Sequence, residues 1–146
     1  MPTSIDLPLN NTRLPAEFRH ALSREEIASL PIRRHDGEIH VVATPADLDR
    51  ALADLRQARV VGFDTETRPA FRKGEEYLPC LVQLATDRAV HLLRLRAVDC
   101  SQALAEILGD PRIVKAGVAL AGDLDQLKRL FRSEEHTSEL QSHSFI

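Results

Sequence analysis

Two carboxylates, Asp64 and Glu66, stand two residues apart at the end of the apolar run Val60-Val61-Gly62-Phe63. In an extended strand, residues i and i+2 project from the same face, so this spacing sets the acids side by side and turns Thr65 away. Like charges at the end of a buried strand repel each other and are costly to desolvate. A divalent cation removes that penalty, and paired carboxylates are suitable oxygen ligands for magnesium or manganese. The expected chemistry is that of a metal site on a central strand.

A third acid, Asp123, ends the segment Ile113 to Asp123, which reads as a strand running into a helix. In the first turn of that helix it lies near the partial positive charge of exposed amides. If the helix packs beside the first strand, Asp123 faces the Asp64/Glu66 pair across a small gap. Asp125 points from another side of the helix and reads as a solvated acid. Just past the acidic pair, Arg68, Arg72 and Lys73 offer a basic stripe for a polyanion, the alternative being a solvated loop. The net charge of −3 does not itself announce such a partner.

Elements able to position these residues follow from periodicity and turn chemistry. Residues 1 to about 15 read as a flexible arm, and Phe18 to Leu30 as a weak helix opened near Ser23 and ended by Pro31. Glu38 to Ala43 reads as a short strand. Thr44-Pro45-Ala46-Asp47 caps a helix carrying Leu48, Ala51, Leu52 and Leu55 at helical spacing. Arg59 to Glu66 is the first core strand. Leu78 to Thr86 and Ala89 to Leu95 form a hairpin around Asp87-Arg88. Ser101 to Leu108 is a helix stopped by Gly109, Arg112 to Val118 a strand, and Gly122 to Phe131 a helix. This order implies an α/β fold, a mixed sheet covered by helices.

At 146 residues, with 43% hydrophobic and 28% charged, the chain has room for one soluble domain with a core. Cys80 and Cys100 lack CxxC spacing and fit a reducing, cytoplasmic setting rather than a disulfide framework. No apolar stretch approaches a membrane span, and no secretory leader is expected. No obligate protein partner is evident.

The segment Val61 to Thr67 resembles the first signature of the DEDD-type 3′-5′ exonucleases, and Lys115-Ala116-Gly117-Val118 with Gly122-Asp123 and Leu127 resembles the second. Tyr77 to Ala85, containing Leu81-Val82-Gln83-Leu84, resembles the strand between them. The likeness covers about Ile39 to Phe131. It is nearest to the branch that includes the Werner-syndrome exonuclease domain, with ribonuclease D more distant. The resemblance implies a ribonuclease H-like mixed five-stranded sheet flanked by helices. It also implies removal of nucleotides from a 3′ end by two magnesium or manganese ions. Asp64 would serve both ions, Glu66 one ion and the terminal nucleotide, and Asp123 would complete that side. Thr67, Arg68 and Lys115 are candidate substrate-binding residues, the alternative for Lys115 being a structural role. The second signature favours DNA over RNA as the nucleic-acid partner.

The family also carries a fourth carboxylate, four residues after a Tyr or His on a late helix. No Asp follows Asp125 in this chain. Arg132 to Ser142 resembles the in-frame translation of a widely used sequencing adapter. Three segments are therefore expected: an N-terminal extension over 1–37, the N-terminal part of an exonuclease domain over 38–131, and a non-native tail over 132–146. The sheet is expected to lack its C-terminal strand and helices, leaving the fragment inactive. The competing expectation is a non-catalytic nucleic-acid-binding module that retains the fold.

Overall fold

In the computed structural model, which describes residues 20–133 together with residue 16, hydroxyl residues fix where the first two helices begin. Helix α1, Arg24–Ser29, starts at Ser23, whose hydroxyl accepts from the Glu26 amide while the Glu26 carboxylate accepts from the Ser23 amide. Helix α2, Pro45–Leu55, starts with the same reciprocal pair between Thr44 and Asp47. Asp47 thus does more than complement the helix dipole: it closes the cap. The helix expected over Phe18 to Leu30 is confined to α1 among the described residues, and Phe18 itself lies outside them. Residues 20–41 are exposed throughout.

Five strands make one sheet: β1, Glu38–Val42; β2, Val60–Glu66; β3, Leu81–Ala85; β4, Ala89–Arg94; and β5, Val114–Ala116. Their order is β1-β4-β3-β2-β5. The β3–β4 hairpin and the β2–β3 pair are antiparallel, whereas β1 runs parallel to β4 and β5 parallel to β2. The sheet is therefore mixed, as expected, with β1 and β5 at its edges. Helix α3, Ser101–Gly109, precedes β5, and α4, Leu120–Ser133, follows it. Strand β5 is shorter than the expected Arg112 to Val118. The Asp110 side chain folds the chain into a turn by accepting from the Arg112 amide, and the strand stops at Gly117. Helix α4 starts two residues earlier than expected, directly after Ala119, whose φ of 55° breaks the extended path.

Alternation along β2 decides which face is which. Val61 and Phe63 are buried, with Thr65 following them on the same side, while Asp64 and Glu66 are exposed on the other. Val82 and Leu84 of β3 and Leu93 of β4 join that buried face, against Leu52 and Leu55 of α2, Leu104 and Ile107 of α3, and Leu120, Leu124, Leu127 and Phe131 of α4. One apolar core thus lies between one face of the sheet and three helices. No helix of the described residues is long and apolar enough to cross a membrane.

Candidate functional site

Strand β2 forms because Val60, Val61 and Phe63 suit a pleated, half-buried surface, and it carries its acids beyond that apolar stretch. Asp64 and Glu66 emerge together on the exposed face, as their spacing requires. They are not the buried pair that the preceding apolar run suggested: the strand projects them past the core, where water solvates them. Asp64 Oδ1 accepts from the Thr65 amide at 2.9 Å, and Glu66 Oε1 lies 3.5 Å from the Gln83 side-chain amide on β3. Among the described residues, no Lys, Arg or His forms an ion pair with Asp64, Glu66 or Asp123.

Asp123 is placed differently from expectation. Helix α4 packs on the buried face, so the residue it meets is Thr65, whose hydroxyl donates to Asp123 Oδ1 at 2.6 Å. The residue expected to turn away from the site is therefore the one that touches the third acid. Gly117 makes this placement possible. A Cβ there would stand 2.4 Å from the Phe63 carbonyl oxygen and 2.6 Å from Leu120, so only a glycine lets the chain pass from β5 into α4 so close to β2. The signal for Gly117 was present in the Lys-Ala-Gly-Val segment, although spacing alone did not reveal its role.

This donor set fits a hard divalent cation in part. Asp64 and Glu66 present carboxylate oxygens on one side of a strand end with no ion-pair partner among the described residues, and one or two carboxylates are what magnesium usually takes from a protein. Among the described residues, however, no three His, Cys, Asp or Glu side chains converge to hold a metal ion. The pair fits such an ion, and Asp123 stands on the Thr65 side of the strand.

The remaining candidates separate clearly. Lys115 faces inward. It sits on the core side of β5, wholly buried, and its ammonium donates to the carbonyls of Asp110 at 2.8 Å and Ile113 at 2.6 Å. An apolar neighbour on each side in sequence was the sign of this burial. Thr67 and Arg68 are exposed at the start of the loop that follows β2, and the Arg68 guanidinium lies over the Tyr77 ring, 3.6 Å from its centroid. Arg72 and Lys73 are exposed further along the same loop.

Sequence reasoning missed a second polar cluster, away from this strand end. Asp54 near the end of α2 accepts from Thr86 at 2.8 Å, from Arg88 and from the buried His91 ring at 2.8 Å, tying the β3–β4 hairpin to the helix. His91 also stacks on His40 of β1, with ring centroids 5.5 Å apart.

The geometry can be set beside known proteins. A family model described as 3′-5′ exonuclease matches residues 39–140. The human exonuclease mut-7 homolog is 32% identical over 145 residues, covering 87% of this chain and 16% of that protein. Among solved structures, the Nibbler EXO domain of Aedes aegypti superposes with a TM-score of 0.63 at 20% identity, covering 81% of this chain and 56% of that one. The EXD2 exonuclease domain soaked in Mn and GMP gives a TM-score of 0.56 at 22% identity, covering 75% and 55%. These structural likenesses establish the fold. The chain spans only part of each of these proteins.

Proposed function

Because the chain belongs to the 3′-5′ exonuclease family, we propose that it is the part of a nuclease domain that engages the 3′ end of a DNA or RNA strand and that Asp64 and Glu66 hold magnesium or manganese there. The observation that carries this reading is the pair itself: two exposed carboxylates on one side of the β2 end, ion-paired with nothing among the described residues. The EXD2 domain soaked with manganese and GMP supports the choice of metal and the nucleotide class.

A divalent ion, when bound, supplies an activated water and neutralises charge at the phosphodiester. The chain's own contributions are more limited. Asp64 and Glu66 provide hard oxygen ligands. Asp123 does not join them here: its Oδ1 accepts from Thr65 on the other side of the strand. The loop that leaves the same end of the strand carries Arg72 and Lys73, both exposed, which offset backbone phosphate charge.

One observation favours a second reading, in which this chain alone binds nucleic acid without cutting it: no three carboxylates converge among the described residues. A single experiment separates the two. Wild type, Asp64→Asn and Glu66→Gln are titrated with Mn²⁺ by calorimetry and incubated with a 5′-labelled strand and Mg²⁺. Saturable Mn²⁺ binding that both variants lose supports the metal pair. Progressive 3′ trimming by the wild type favours the nuclease, and binding without trimming favours the module. Equal Mn²⁺ binding by all three proteins removes Asp64 and Glu66 from the proposal.

A further inference from the structure

The loop between β2 and β3 leaves the sheet at Glu66 and returns to it at the same point. The Cys80 amide donates to the Glu66 carbonyl at 2.9 Å, and Leu81 pairs in register with Glu66. Both feet of the loop therefore stand at the strand end that carries Asp64 and Glu66.

Its two arms differ in character. The returning arm is packed down: Pro79 is buried, and Tyr77 and Leu78 are half-buried. Three contacts brace it. Arg68 lies over the Tyr77 ring, the Tyr77 hydroxyl donates to Glu75 at 3.0 Å, and Glu76 pairs with Arg129 of α4 at 3.9 Å. Beyond Arg68, the tip of the outgoing arm stands free. Phe71 is 90% exposed, and Arg72 and Lys73 beside it are exposed as well, with no carboxylate paired to either among the described residues. A turn closed by the Glu75 amide on the Arg72 carbonyl presents this tip, and Gly74 supplies the positive φ of 87° that the turn needs.

A phenyl ring fully in water gains nothing from folding, and two unpaired cations next to it attract anions. A single polynucleotide strand satisfies both, because its bases offer π-faces and its backbone offers phosphates. A duplex does not, since its bases are already stacked on one another. We propose that Phe71 is a stacking platform for an unpaired nucleobase, with Arg72 and Lys73 holding the flanking phosphates, so that this loop selects single-stranded 3′ segments. The inference rests on the nucleic-acid reading above and adds the strandedness of the substrate.

The chain contains no tryptophan, so Phe71→Trp introduces a single reporter at the proposed contact. The variant is titrated with a short oligothymidylate, an oligouridylate and a blunt duplex, with calcium in place of magnesium. Single strands are expected to quench the tryptophan saturably. Phe71→Ala is expected to lose about tenfold in single-strand affinity while its duplex affinity barely changes. Arg72→Ala with Lys73→Ala is expected to weaken both and to reduce the salt slope by about two. Because Phe71 contributes nothing to the core, circular dichroism of all variants should match the wild type. Unchanged single-strand affinity in Phe71→Ala, equal losses for duplex and single strand, or an unquenched tryptophan at saturation overturns the platform. If the wild type binds no oligonucleotide at all, the nucleic-acid reading falls and the platform with it. Wild-type binding that ignores Phe71 removes the platform alone.

Discussion

Thr65 and Asp123 are joined by a 2.6 Å hydrogen bond that links the end of β2 to the first turn of α4. The bond lies on the core side of the strand, opposite the Asp64/Glu66 pair. It leaves one carboxylate oxygen of Asp123 outside that contact and fixes how the helix meets the sheet. Thr65→Val keeps the shape and removes the donor. Hydrogen bonds to charged groups contribute about 1.5–3 kcal/mol, so urea unfolding should show a loss of about 2 kcal/mol, largely restored in Thr65→Ser. A valine variant as stable as the wild type would show that the contact holds nothing.

Gly117→Ala tests the close passage into α4. The added methyl must displace the Phe63 carbonyl or the Leu120 side chain, and backbone gives way poorly. Overpacking of this kind costs about 1–3 kcal/mol. Thermal unfolding should report the loss, and Mn²⁺ affinity should fall with it if α4 shifts relative to β2.

Lys115 carries a pH signature. Burial pushes its ammonium down from 10.5 to about 8, against the weaker opposing pull of Asp110. Between those two values the unfolded chain binds a proton that the folded chain has released, so stability rises with pH across that window. The full effect is on the order of 3 kcal/mol. In Lys115→Met this rise should disappear from a urea series run between pH 7.5 and about 10.5. A slope that survives the substitution would assign the titration to another group.

Asp54 behaves in the opposite sense. Burial raises its carboxyl, but the hydrogen bonds from His91, Arg88 and Thr86 outweigh that and hold it below its ordinary 3.8. Its contribution is thus fully present above the ordinary carboxylate range and is lost as pH falls through the lower folded value. Asp54→Asn should cost about 3 kcal/mol at neutral pH, because it breaks a part-buried charged network. The variant should also lose less stability than the wild type on acidification below about pH 4. Equal acid sensitivity would point to other carboxylates.

Local rules made much of this molecule readable. Period-two alternation placed Asp64 and Glu66 on one side of β2, and Thr44-Pro45-Ala46-Asp47 marked the start of α2 to the residue. Both depend on neighbours within four positions. The face against which α4 packs was not readable, because it depends on Thr65 meeting a residue 58 positions away. The Asp54–His91 contact spans 37 residues and was equally hidden. Lys115 shows a signal that left two readings open: a cation inside Ile113-Val114-Lys115-Ala116 could be structural or lie near phosphate, and its place on the covered side of β5, on backbone carbonyls, favours the first.

The backbone of Glu66 anchors both feet of the β2–β3 loop. Everything between those feet can lengthen, shorten or change composition while the register of the sheet stays the same, since closing a longer loop adds little entropy cost. Preference for one kind of strand can therefore be rewritten there, by insertion or exchange, without disturbing the acids beside it.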